Sequence, residues 1–267
     1  MKCGTTSLHN YLNAHPDIFM SEEKELDFFI EKGNWSRGMN WYQDNFSDHH
    51  IINGESSQNY TKRHSDPDVA QRIYELMPNV KLIYIVRDPV TRIESHFKDV
   101  KTYGYVKYNY DINDVVKENL QHPIFMTSHY YYQIEPYLQL FPRENICFIK
   151  LEDLKSDPVS ILDQICEFLG IEKFDKNTNF SGQKHNSSGE KLLRRPVFNV
   201  FNKFSFIKRI VPNQVFNVAK RKIESWSSSS VNNRYNELSE ESKELIRDSL
   251  LSDLKKFTEV SRISYYE

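Results

Sequence analysis

Apolar residues recur at two different periods along this chain, and the alternation between them predicts its elements. Between Thr6 and Asn13, Leu8, Tyr11 and Leu12 fall on one stripe at helical spacing. HHIING at 49–54 predicts a short strand ending at Gly54. Ser65-Asp66-Pro67 predicts a helix start, with Val69, Ile73 and Leu76 on its apolar face. The clearest signal is KLIYIVRD at 81–88. Leu82 to Val86 is an unbroken apolar, β-branched and aromatic run, as in a strand buried on both faces of a parallel sheet. Pro89 then opens a helix that is expected to run through Phe97. NICFIKLEDL at 145–154 predicts a second strand, and Pro158 to Leu169 a helix closed by Gly170. Stretches 197–207, 213–226 and 239–257 return to helical spacing, 176–195 reads as a polar loop, and Ser227 to Ser230 as another. Strands alternating with helices predict an α/β fold: a P-loop-like parallel sheet between helical layers, with extra helices toward the C-terminus.

Composition narrows the function classes. A length of 267 residues suits one α/β domain with a sizeable core. A formal net charge of -2 argues against a nucleic-acid partner, so any anion site must be local. Cys3, Cys147 and Cys166 are widely spaced and form no Cys-x-x-Cys, which suggests neither a zinc site nor a disulfide framework. A reducing, cytoplasmic setting is the expectation, since neither a bilayer-spanning run nor a signal peptide is visible.

Two stretches carry chemistry. The first is KCGTTS at 2–7, directly before a helix. Backbone amides of a glycine turn at a helix N-terminus make an anion site. Gly4 allows close approach, Thr5, Thr6 and Ser7 add hydroxyls, and Lys2 and Cys3 precede them. A nucleotide kinase would instead want a lysine after the glycine, where Thr5 stands. A capped helix start beside a chance lysine is the plainer alternative. The second stretch is RDPVTRIES at 87–95. Arg87 stands at a strand tip and Ser95 two turns along the next helix, above the carboxyl end of the sheet where open α/β folds bind ligands. An arginine there recognises phosphate through a planar pair of donors.

Together these stretches resemble those of sulfotransferases that use 3′-phosphoadenosine 5′-phosphosulfate (PAPS). In that family the first loop grips the 5′-phosphosulfate and the RDP segment the 3′-phosphate. KELDFF at 24–29 and GESSQNY at 54–60 resemble segments of the carbohydrate, heparan-sulfate-type branch, and KLEDLKSDP at 150–158 and EFLGI at 167–171 resemble further family segments. The resemblance runs over about residues 1–195 and implies a single domain over 1–267, with 191–235 as a basic, aromatic helical insert. Departures are Ser56 and Gln58, where lysine and proline are common, and Asp27, where histidine is common. No strand precedes the first loop. The family's central strand would stand there, so a gap in the sheet beside the active site is expected, with a cost in stability or activity.

The resemblance also implies roles. PAPS is the donor and adenosine 3′,5′-bisphosphate (PAP) the product, with no metal required. Lys2 neutralises the leaving phosphate. Glu25 is the base that takes the acceptor's proton, beside Phe28 and Phe29, although a solvated acid is the plainer reading of that position. His96 is the rival base, and Glu55 either orients the site or is a structural carboxylate. A late loop at 184–195 is expected to close over the 3′-phosphate through Lys184, Ser188, Gly189, Lys191 and Arg194. The implied acceptor is a hydroxyl of a carbohydrate or glycolipid. Basic residues interleaved with phenylalanines at 191–222 suggest either a lid or peripheral membrane contact, or an amphipathic packing element. The rival functions are a nucleotide kinase-like enzyme and a non-catalytic nucleotide- or glycan-binding relic of the same fold.

Overall fold

The computed structural model describes residues 1–102, 111–175, 178 and 237–266. Helix α1 spans Thr5–Leu12 and leads to strand β1, Ile18–Met20. Helix α2 (Gly38–Gln43), strand β2 (Ile52–Gly54) and helix α3 (Val69–Leu76) follow. Strand β3 is Leu82–Val86 and helix α4 is Pro89–Thr102. Helices α5 (Ile112–Glu118), α6 (Pro123–Met126) and α7 (Tyr130–Leu140) precede strand β4, Ile146–Lys150. Helices α8 (Leu151–Ser156), α9 (Pro158–Leu169) and α10 (Glu240–Ser261) complete the described chain.

The strands are parallel, as expected, but form two separate pairs. β1 lies against β2 with Ile18 opposite Ile52. β3 lies against β4, from Leu82 opposite Ile146 to Val86 opposite Lys150. Alternation along β3 and β4 divides the core between two faces. Val86, Ile146 and Phe148 join the larger core with Phe28, Phe29, Tyr130 and Phe257. Ile85, Cys147 and Ile149 join a smaller core with Cys3, Leu8, Leu12 and Leu151. Helices therefore cover both faces, the arrangement that the unbroken apolar runs predict.

Neither β2 nor β3 has a second strand neighbour among the described residues. A cavity of about 740 Å³ is lined by Ile18, Met20, Ile52 and Gly54 from one pair and by Ile83 and Ile85 from the other.

Other expectations need adjustment. The strand predicted over 145–154 stops at Lys150, and Leu151 begins α8. Glu152 and Asp153 sit in that helix's first turn, where negative charge favours the positive helix end. Leu76 is not core: it is 43% exposed at the end of α3. Helix α4 continues past Phe97 to Thr102, and α10 runs four residues beyond 257. The helices expected at 197–207 and 213–226 lie outside the described residues, as does the serine run.

Candidate active site

The first loop is built by backbone handedness. Gly4, the residue before α1, has φ 83°, and Lys2 has φ 61°. Only glycine takes that conformation without penalty, and a Cβ on Gly4 would meet Leu151 Cδ1 at 2.5 Å. Left-handed residues alternating with ordinary ones turn successive amides to one side, which forms an anion-binding concavity. Thr5, Thr6 and Ser7 then occupy the first turn of α1. The Cys3 side chain is buried in the smaller core, so this residue offers the site its backbone alone. Lys2 Nζ pairs with Asp99 Oδ1 of α4 at 3.0 Å, both side chains about four-fifths buried.

The second loop meets the first. Arg87 follows β3 directly, and its guanidinium donates to the carbonyl of Lys2 at 3.4 Å. Tyr130 Oη donates to the Arg87 carbonyl at 2.6 Å, which fixes this turn from below. Asp88 Oδ1 accepts the Thr91 amide at 2.8 Å and starts α4. Ser95 is half-buried on α4, four residues before Asp99 and hence on the same helix face. Lys2 is thus joined to Arg87 through its carbonyl and, through Asp99, to the face of α4 that carries Ser95.

His96 points away from that face. It is buried, with Arg92 Nη1 3.3 Å from its Nδ1. Burial first, then the charge of Arg92, pushes its pKa down to about 2. Such an imidazole is a weak proton acceptor near neutrality. Arg92 is itself fully buried and donates to Ser128 Oγ at 2.6 Å and to the Ile124 carbonyl.

The third component is the 25–29 loop, clamped by residues 55–60. Glu25 has φ 67° and Asp27 φ 47°, a conformation that side-chain-bearing residues adopt at a cost. The Glu25 amide donates to the Ser56 carbonyl at 3.2 Å. Its carboxylate accepts from Lys24 Nζ at 2.8 Å and from Gln58 Nε2 at 3.1 Å, and remains 34% exposed. Phe28 and Phe29 beside it are buried, Phe28 stacking on Tyr42. Asp27 Oδ2 accepts from Asn59 at 2.6 Å, and Lys62 donates to Asn59 Oδ1 at 2.5 Å. Burial raises the pKa of Asp27 against that hydrogen bond, and lowers that of Lys62 against the charges of Asp27 and Glu25.

Sequence reading missed the residues that tie these parts together. His9 is buried on α1, and its Nδ1 lies 3.1 Å from Ser56 Oγ, which joins the phosphate-loop helix to the 55–60 segment. Burial, then the charge of Lys24, lowers its pKa, so it stays neutral. A polar residue on the apolar stripe of α1 is the signal that could have found it, because a buried polar group needs a partner. Lys184, Ser188, Gly189, Lys191 and Arg194, and the basic stretch at 191–222, lie outside the described residues.

The model of the sulfotransferase domain family matches residues 1–258. Heparan sulfate glucosamine 3-O-sulfotransferase 5 of Mus musculus is 30% identical over 181 residues, which cover 64% of this chain and 51% of that protein. The bifunctional heparan sulfate N-deacetylase/N-sulfotransferase 1 of Caenorhabditis elegans is 23% identical over 190 residues, covering 66% of this chain and 22% of that protein. The chain thus spans about half the length of the first and about a fifth of the second. A sulfotransferase of solved structure from Alicyclobacillus acidocaldarius superposes with a TM-score of 0.57 at 26% identity, over 72% of this chain and 86% of that one. With a family match across nearly its whole length and two anion loops brought into contact, this chain belongs to the sulfotransferase domain family.

Proposed function

We propose that the chain transfers a sulfuryl group from PAPS to a hydroxyl of a carbohydrate of the heparan sulfate class. The observation that carries this reading is the contact between Arg87 and the Lys2 carbonyl, which joins two anion loops in one place. A donor with phosphates at both its 3′ and 5′ positions needs two such loops. Lys2 and the first-turn amides and hydroxyls of α1 suit the 5′-phosphosulfate, and Arg87 with Ser95 suits the 3′-phosphate. The acceptor class is drawn from the two heparan sulfate enzymes to which the chain is similar.

In the reaction, the acceptor oxygen bonds to sulfur as the bond from sulfur to the phosphate oxygen of PAP breaks. The hydroxyl proton passes to Glu25, the carboxylate of the clamped loop that remains open to solvent. Lys2 stabilises the negative charge that develops on the departing phosphate. Preorganised charge and position supply the rate, as in other in-line transfers.

Incubation with ³⁵S-labelled PAPS and a panel of heparan-type, chondroitin-type and glycolipid acceptors tests the proposal. Label is expected in the heparan-type polysaccharides. Transfer confined to another acceptor would overturn the acceptor class, and no transfer to any would overturn the activity.

A further inference from the structure

We infer that Glu55 is the positioning residue of the transfer reaction, holding the loop that presents Glu25. The inference rests on the reading of Glu25 as the base. Glu55 follows β2 directly and is half-buried, packed by hydrogen bonds against residues that hold the 25–29 loop. It accepts three hydroxyl hydrogen bonds: Tyr42 at 2.9 Å and Tyr60 at 2.8 Å on Oε1, and Ser57 at 2.6 Å on Oε2. Two of these hydroxyls also accept from the loop. Ser57 Oγ takes the Asp27 amide at 3.0 Å, and Tyr60 Oη takes the Phe29 amide at 3.4 Å.

The direction of these bonds follows from proton counting. A serine or tyrosine hydroxyl has one hydrogen. While its oxygen accepts a loop amide, its hydrogen must go elsewhere, and a carboxylate is the strongest acceptor available. Charge on Glu55 therefore orients both hydroxyls as acceptors toward the loop. An amide at position 55 would offer one acceptor oxygen and two donors, so one hydroxyl would lose its acceptor. Burial raises the pKa of Glu55 above the usual carboxylate value, and the three hydroxyl bonds oppose that rise.

The loop needs this support. Glu25 and Asp27 both hold left-handed backbone without being glycine, and such conformations persist only when their surroundings impose them. From the segment that begins at Glu55, the Ser56 carbonyl also accepts the Glu25 amide, Gln58 donates to the Glu25 carboxylate and Asn59 to that of Asp27, while Asn34 donates to the Leu26 and Asp27 carbonyls and Arg72 to that of Phe29. Glu55 is not itself read as the base, because its carboxylate is committed to three hydroxyl hydrogen bonds, whereas that of Glu25 remains 34% exposed.

The test uses Glu55→Gln, Ser57→Ala, Glu25→Gln and the double variant Glu55→Gln/Glu25→Gln. Amide hydrogen exchange is followed through residues 25–29, and kcat and KM for PAPS are measured with heparan polysaccharide as the acceptor. Glu55→Gln is expected to speed exchange at one or both of Asp27 and Phe29 by about tenfold or more, with α1 unchanged. It is expected to lower kcat by about a hundredfold, the scale of a misplaced catalytic group, with KM for PAPS unchanged. The double variant should be no slower than Glu25→Gln alone, since Glu55 acts through Glu25.

Unchanged exchange at both amides overturns the inference, as does a double variant that loses the product of the two single effects. Loosened exchange with kcat intact in both Glu55→Gln and Glu25→Gln would refute the base reading while leaving the loop-holding role of Glu55. Exchange needs no acceptor, so it decides even if the polysaccharide is not sulfated. If Glu55→Gln fails to fold, Ser57→Ala removes only the Asp27 link. Faster exchange at Asp27 in that variant supports the inference, and unchanged exchange refutes it.

Discussion

The base loop and the phosphate loop are held in different ways. The 25–29 loop rests on side-chain hydrogen bonds that include those gathered on the half-buried Glu55, with aromatic rings packed beneath it. The 2–7 loop rests on α1, on a 3.4 Å bond from Arg87 and on an ion pair to Asp99. The first region is fixed by its own polar network. The second is an assembly of cationic groups whose natural partner is an anion. The proposed base is thus held by side-chain hydrogen bonds, whereas the proposed phosphate loop is held through backbone handedness, Arg87 and Asp99.

Changes confined to one loop should therefore leave the other's readout alone. The largest effect is expected from Glu25→Gln, which should lower kcat by about 10²- to 10⁴-fold, the usual contribution of a general base, with PAP affinity unchanged in titration calorimetry. A parallel loss of PAP affinity would break the separation between the loops. Next is Lys2→Ala, expected to weaken PAP binding by about tenfold to a hundredfold, the range for a hydrogen bond to a charged group. Exchange through residues 25–29 should not change in that variant.

Acid should act on the scaffold between the two regions. His96 has a folded pKa of about 2 against 6.5 unfolded. The unfolded chain then binds more protons in that interval, so the stability is present above 6.5 and lost as pH falls. From about pH 7 to about pH 5 this histidine alone should remove about 2 kcal/mol, measurable by urea unfolding and absent in His96→Gln. His9, also lowered by burial, acts in the same direction. The smallest effect is expected from Asp99→Asn. Removing the carboxylate that shares Lys2 should tighten PAP binding by a few-fold, about the 0.2–1 kcal/mol of a partly exposed ion pair. Weaker binding would mean that Asp99 orients Lys2 rather than competing for it.

The turns at 2–7 and 87–89 were legible in the sequence, because their signals are local: a glycine before a helix, and an arginine at the end of an apolar run. β3 and α9 were legible for the same reason, since Leu82–Val86 is uninterrupted and Gly170 closes its helix at φ 73°. The apolar pattern of β4 runs on into Leu151 and Leu154, which hid the change from strand to helix at Lys150. β1 has three residues and draws its stability from β2, so no local period marks it. In 111–140, Pro123 opens a four-residue helix and Pro136 lies inside α7, which blurs the spacing of apolar positions. The clamp on the base loop was least legible. His9, Ser57 and Tyr60 act through hydrogen bonds that span roughly thirty to fifty residues of sequence, and no motif encodes such pairs.

Titration calorimetry of the chain with PAP, in buffer free of Mg²⁺, tests the central claim most directly. Micromolar binding is predicted for the wild type, and its loss for Arg87→Ala, the residue that joins the two loops. No binding, binding that requires Mg²⁺, or full affinity in Arg87→Ala would contradict a donor site built from these two loops.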